Sequence, residues 1–393
     1  MRLVNNYDTC IEDLIEKANE QTIFLSDWNK SENILDFPDS IISAASDRYH
    51  NYKNFYVFSD ELQEVKKEFE KCFSDGTYSI DSSNFAIVSN GTAASFLALH
   101  AVQKKLKHIK ALLISPVYFT YIRVLQDFQA DIFYLEADMK KKELLSMEAI
   151  EQEIRENNIN LLIINDPLFG SGISISLEQY QQLGALCKKY NSYFYIDYIY
   201  GGMAWSQEPE LQNYALIKYV MENDHVILTE SLCKRVFLNG IKSGMVFSNA
   251  ELIDDIEKSA TSITGSMAYV QLEMFKELHK KENRDKIKKI IGQTRKYCSE
   301  TYQILEDMLK GTKFDLFPCD SGNFCIVGVP KSNLQLCGNE AAAKIIDETN
   351  VLVLPHDRYL ISSDEFFYFR VNLAIKHTVI RAGVEKLLLH YDK

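Results

Sequence analysis

The sequence predicts an α/β protein: a large domain built on a seven-stranded, mainly parallel sheet between helices, joined to a smaller α+β domain. Three observations predict it. Seven short apolar, β-branched or aromatic runs punctuate residues 85–248, segments of helical composition separate the first six, and the composition changes at Glu251. Most runs are continuously apolar, as in strands buried on both faces, and strand–helix–strand repetition gives a parallel sheet covered on both sides.

The runs are Phe85–Ser89, Ala111–Ser115, Asp131–Leu135, Leu161–Asn165, Tyr193–Asp197, His225–Glu230 and Ser243–Ser248. Ala93–Lys107 and Leu177–Tyr190 typify the helical segments between them. Only Ser231–Lys242, with its Asn239-Gly240 pair, separates the last two runs. A parallel crossover needs about a dozen residues or more, usually helical, so one strand is expected to run antiparallel. Glu251–Lys310, rich in Glu, Lys, Ile, Leu and Met, reads as long helices broken at Gly265 and Gly292. Beyond Gly311, Asn323–Val329, Val351–Leu354 and Phe367–Val371 are strand candidates, and Val379–His390 is a closing helix. The expected division is an N-terminal segment, 1–50, packing on the small domain, then a large domain, 51–265, and a small domain, 266–393.

A chain of 393 residues buries a sizeable core without disulfides or a structural metal. Its 43 Lys and Arg against 55 Asp and Glu leave a net charge of −12. Nucleic acid and anionic membrane are therefore poor partners, because both demand positive charge. The eight cysteines include no C-x-x-C and the eight histidines no H-x-x-x-H, so no metal site is expected. Free buried thiols, an acidic N-terminus and the lack of a long apolar run point to a cytoplasmic protein.

Three features fall at the carboxyl ends of predicted strands, where open α/β sheets bind ligands. Ser89-Asn90-Gly91-Thr92-Ala93-Ala94 is a small-residue turn entering a helix, whose amide groups and dipole suit a phosphate, though Asn-Gly also marks ordinary turns. Asp197-Tyr198-Ile199-Tyr200 ends the fifth run with an acid that, if buried, must meet a cation or a protonated nitrogen. The alternative is a solvated strand-end aspartate. Glu230-Ser231-Leu232-Cys233-Lys234-Arg235 follows the sixth run, and Lys234 is either a surface lysine or a Schiff-base lysine. No G-x-G-x-x-G and no G-x-x-x-x-G-K-[ST] is present.

The order and spacing of these pieces resemble the fold-type I pyridoxal-phosphate enzymes, specifically the class I/II aminotransferase family, over roughly Arg48 to Arg370. The resemblance implies that Gly91, Thr92 and Ala93 hold the cofactor phosphate. It implies that Tyr118, in Pro116-Val117-Tyr118, stacks on the pyridine ring, and that Asp197 pairs with the ring nitrogen while Tyr200 reaches the 3′ oxygen. Ser231-Leu232-Cys233-Lys234 looks like the family's Ser-x-Ser-Lys, which makes Lys234 the cofactor's lysine and Ser231 a phosphate ligand. Arg370 would clamp a substrate carboxylate. A homodimer is also implied, with Tyr52, or failing that Tyr56, reaching the partner's phosphate. Asp27-Trp28 and His356-Asp357-Arg358 are further substrate candidates.

Two departures stand out. Lys242 occupies the place of an arginine eight residues after the lysine, keeping charge without the planar fork. In Asn165-Asp166-Pro167-Leu168-Phe169-Gly170-Ser171-Gly172, the asparagine that serves the 3′ oxygen becomes Phe169. The expected activity is transamination between an α-amino acid and a keto acid with pyridoxal phosphate. The alternatives are another reaction of that cofactor (decarboxylation, elimination, cyclisation or oxidation) and a non-catalytic ligand-sensing domain.

Overall fold

In the computed structural model, which describes residues 2–3, 12–26, 34–52, 54–73, 80–144, 146–207, 210, 213–361 and 363–393, the seven runs form one sheet. The strands are β1 (Phe85–Val88), β2 (Lys110–Ser115), β3 (Asp131–Glu136), β4 (Leu161–Asn165), β5 (Tyr193–Asp197), β6 (Val226–Glu230) and β7 (Gly244–Phe247). Their spatial order is β3-β2-β4-β5-β6-β7-β1. The pairs from β3 through β6 are parallel, and β7 runs antiparallel to both β6 and β1. The short connection before β7 thus produces the reversed strand that its length predicts. Arg2–Leu3 adds a two-residue antiparallel edge strand beside β3, which is too short for any sequence periodicity to reveal.

Alternate residues of each central strand enter different core layers. Leu112, Ile114, Leu162 and Ile164 face one layer, with Tyr180 and Leu183 of the helix Leu177–Lys189. Ala111, Leu113, Leu161 and Ile163 face the other, with Leu97, Ala98 and Val102 of the helix Gly91–Lys105. This two-sided burial is why the runs are continuous in sequence. Each buried Leu or Ile side chain contributes about 1.5–3 kcal/mol.

The helices Ala250–Ser259, Tyr269–His279 and Arg284–Leu309 follow the large sheet. A second, antiparallel sheet then forms from β8 (Asp315–Leu316), β9 (Phe324–Pro330), β10 (Leu354–Pro355) and β11 (Phe366–Asn372), in the order β8-β9-β11-β10. The closing helix is His377–Tyr391. Near the N-terminus, Ile23–Phe24 pairs in parallel with Val351–Leu352, and the Leu25 carbonyl accepts from the Asn372 amide at 2.7 Å. Among the described residues, no helix is long and apolar enough to cross a membrane.

Candidate active site

The carboxyl ends of the parallel strands bring together Ser115, Asn165, Asp197 and Glu230, all buried. Asn165 and Asp197 are register partners on β4 and β5, so their side chains leave the sheet on the same face. The Asn165 amide donates to Asp197 Oδ2 at 2.5 Å, and the Tyr121 hydroxyl donates to the same oxygen at 2.6 Å. The Ile199 amide donates to Oδ1 at 3.0 Å. Burial pushes the Asp197 carboxyl up to about 6, against the downward pull of those three donors. The acid is therefore buried and served by three donors, and is not the solvated strand-end residue of the alternative.

At the end of β1, Asn90 caps the helix Gly91–Lys105, its side chain accepting from the Ala93 amide at 2.9 Å. A Cβ on Gly91 would stand 2.6 Å from Ile199 Cδ1, so a larger residue in this turn would require the end of that side chain to move. A Cβ on Gly244 would meet the Asn90 backbone at 2.8 Å, which brings the start of β7 against the same turn. Gln271 fastens the two, donating to the carbonyls of Ser89 at 3.3 Å and Lys242 at 3.0 Å. Thr92 and Lys242 are exposed here. Ser231 is buried, and its hydroxyl donates to the Ser243 carbonyl at 2.7 Å, so its proton already has an acceptor.

Lys234 lies on the short helix Leu232–Arg235 after β6. Its neighbour Arg235 forms a buried ion pair with Glu230 at 2.5 Å, and Asn323 donates to the Lys234 carbonyl at 3.3 Å. These contacts pin the turn and leave the Lys234 amine over the Tyr200 ring, 5.9 Å from its centroid. The Tyr200 ring lies 5.5 Å from Phe324 and 6.5 Å from Phe169, and Tyr118 lies 5.2 Å from Phe169. The Tyr118 amide donates to Asn165 Oδ1 at 3.2 Å, closing the circuit back to Asp197.

Arg370, on β11, is buried between Phe324 and Phe169, its guanidinium carbon 4.7 and 5.3 Å from their ring centroids. Its Nε donates to the Ser26 carbonyl at 2.9 Å, and the Ser26 hydroxyl in turn donates to the Arg370 carbonyl. His356 is buried against Gly170, where a Cβ would stand 3.2 Å from His356 Cε1. Burial, and then the Arg370 charge, hold that imidazole well below its usual range. Asp27 and Trp28 lie outside the described residues, as does the Arg358 side chain. Tyr52 packs on Phe55 and Tyr269, outside the circuit just described.

Ser26, Tyr121 and Phe324 are site residues that sequence reasoning missed. Tyr121 had a signal, since it stands three residues after Tyr118 on the first turn of the helix Phe119–Asp127. Ser26 and Phe324 had none, because each joins the site only through contacts distant in sequence. Among the described residues, no cluster of His, Cys, Asp or Glu could hold a metal ion.

The family model for aminotransferase class I and II matches residues 21–387. No curated protein matches the chain in sequence. Among solved structures, a methionine aminotransferase from Escherichia coli is 16% identical, with 97% of this chain and 96% of that one covered and a TM-score of 0.77. A tetra mutant of Thermus thermophilus aspartate aminotransferase complexed with tryptophan is 15% identical, over 98% and 97% of the two chains, with a TM-score of 0.82. The aspartate aminotransferase of Rhizobium meliloti is 16% identical, over 94% and 91%, with a TM-score of 0.77.

Proposed function

The chain belongs to the aminotransferase class I and II family, whose members depend on pyridoxal phosphate, and from that premise we propose how its own residues carry the reaction. The donor set fits that cofactor. A buried acid suits a protonated ring nitrogen, an amine suits an aldehyde carbon, and a small-residue turn at a helix N-terminus, with Gly244 packed against its backbone, suits a phosphate. When bound, the cofactor supplies an electron sink for the electron pair left at the substrate's α carbon.

Lys234 Nζ would hold the cofactor and, once the substrate's amine displaces it, would carry the proton from the substrate's α carbon to the cofactor's 4′ carbon. Asp197 holds the proton on the ring nitrogen, Tyr200 serves the 3′ oxygen, and Tyr118 stacks on the ring. Gly91, Thr92 and Lys242 hold the phosphate. Ala93, whose amide Asn90 already caps, shapes the turn, and Ser231 joins only by releasing Ser243. Arg370 receives the substrate α-carboxylate. The observation that carries these roles is the convergence of an amine, a carboxylate and a guanidinium on one aromatic-walled site: Lys234 over Tyr200, Asp197 joined through Asn165 to the Tyr118 amide, and Arg370 against Phe169 and Phe324.

Borohydride reduction of the protein with pyridoxal phosphate tests the reading. The expected result is one covalent label, mapped to Lys234 and lost in Lys234→Ala. A label elsewhere, or none, refutes it. Phe169 favours a second reading, another outcome of the same cofactor, because it cannot donate to the 3′ oxygen. Product analysis with a panel of amino acids separates the two.

We also propose a homodimer in which Tyr52 of each chain reaches its partner's phosphate. Tyr52, Tyr56 and Phe58 are 52%, 71% and 60% exposed, an aromatic row of the kind that interfaces cover. Free thiols at Cys187, Cys233, Cys298, Cys319, Cys325 and Cys337 support a reducing, cytoplasmic setting.

A further inference from the structure

Behind Asp197, four hydroxyls from four elements meet with no solvent exposure: Ser95 on the helix Gly91–Lys105, Tyr121 on the helix Phe119–Asp127, Tyr195 on β5 and Thr229 on β6. Thr229 Oγ1 lies 2.8 Å from the Tyr195 hydroxyl, which lies 3.4 Å from that of Tyr121 and 3.1 Å from Ser95 Oγ. Ser95 Oγ is 3.2 Å from the Tyr121 hydroxyl and donates to the Gly91 carbonyl at 3.0 Å.

Each hydroxyl has one proton to give. A carboxylate can only accept, so Tyr121 donates to Asp197 at 2.6 Å. The Tyr121 oxygen can then only accept. Tyr195, in turn, can accept from Thr229. Tyr195 gives its proton to Ser95 at 3.1 Å and Ser95 gives its own to the Gly91 carbonyl, so that line runs past the acid to the turn, and Tyr121 is the member of the cluster that points a proton at Asp197. The branch through Ser95 ends on Gly91, so the same cluster also braces the turn assigned to the phosphate.

We propose that Tyr121 is the positioning residue for Asp197, holding its carboxylate ionised and aimed. The proposal rests on the reading of Asp197 as the ring-nitrogen partner. Other ionisable groups face Asp197: Asp166 after β4 repels it, while Tyr195 on its own strand and Tyr180 on the helix Leu177–Lys189 lie close enough to feel its charge. None of these tyrosines except Tyr121 donates directly to Asp197.

The test is a 13C NMR titration of the full chain labelled at aspartate carboxyls, without added cofactor, with the Asp197 signal assigned by its loss in Asp197→Asn. Tyr121→Phe keeps the ring and removes the donor. Its Asp197 midpoint is expected about one pH unit or more above the parent's, the worth of a hydrogen bond to a charged group. The Tyr121 Cζ signal of the parent, labelled at tyrosine, is expected to move with the same midpoint as Asp197, and it carries the test if Tyr121→Phe does not fold. A Tyr121→Phe midpoint equal to the parent's overturns the proposal, as does a Tyr121 Cζ signal that stays still while Asp197 titrates. Because the readout needs neither cofactor nor turnover, it is independent of the borohydride experiment. A failed label at Lys234 with a shifted midpoint would discard the functional reading alone.

Discussion

The guanidinium carbon of Arg370 stands 5.3 Å from the ring centroid of Phe169. This places a cation on an aromatic face at the position where the resemblance sets an asparagine. With Phe324 at 4.7 Å and the Ser26 carbonyl on Nε, the guanidinium is held on several sides. Phe169→Leu keeps bulk and removes the ring face. It is expected to raise KM for the amino acid about 3- to 10-fold, with kcat changed less, since a cation–π contact is worth roughly 0.5–1 kcal/mol or more when desolvated. Steady-state kinetics check this, and an unchanged KM would remove Phe169 from substrate binding.

Asp197→Asn preserves shape and removes the charge that faces the ring nitrogen. Turnover is expected to fall about 10²- to 10³-fold, the usual cost of one preorganised electrostatic group, while cofactor still binds. Absorbance titration with pyridoxal phosphate and kcat measured on the same preparation separate binding from chemistry. Near-normal turnover would return Asp197 to a structural role.

Asp166 is buried, and burial pushes its carboxyl up to about 7 although Tyr180 donates to it at 2.6 Å. A carboxyl whose folded value lies above its unfolded value, ~3.9, binds its proton more tightly in the native state. Its contribution to stability is complete below pH ~4 and is lost as pH rises to about 7. Asp166→Asn should therefore show a flatter dependence of melting temperature on pH between about 4 and 7 than the parent. Parallel slopes in thermal melts would contradict this.

Ser231 Oγ donates to the Ser243 carbonyl, tying the lysine-bearing turn to the strand entering β7. Ser231→Ala is expected to cost about 1 kcal/mol of stability, and more if the buried carbonyl stays unpaired. Denaturant unfolding measures the stability cost. A large loss of cofactor affinity without loss of stability would instead mean that the hydroxyl leaves Ser243 to serve the phosphate.

Lys242 is exposed beside the Asn90–Gly91 turn, which Gln271 links to its own carbonyl. Lys242→Arg supplies the planar fork that the resemblance leads one to expect and should tighten pyridoxal phosphate binding, whereas Lys242→Ala should weaken it about tenfold. Equilibrium dissociation constants for the two variants decide the matter, and identical values would place the phosphate elsewhere.

The linear sequence determined the parallel sheet, because strands buried on both faces must be apolar at consecutive positions, as Leu161–Ile164 are. It also determined the reversed strand, because Ser231–Lys242 is too short for a helical crossover. Strand ends are local features, so Gly91, Asp197 and Lys234 could be located one by one. What faces each of them was decided only by tertiary structure. Tyr121 and Asn165 reach Asp197 across 76 and 32 residues. Ser26 reaches Arg370 across 344. Such pairs depend on strand order and register, which no local periodicity encodes. The same holds for the use of each hydroxyl: that Ser231 Oγ lies 2.7 Å from the Ser243 carbonyl oxygen and donates to it is set by the fold.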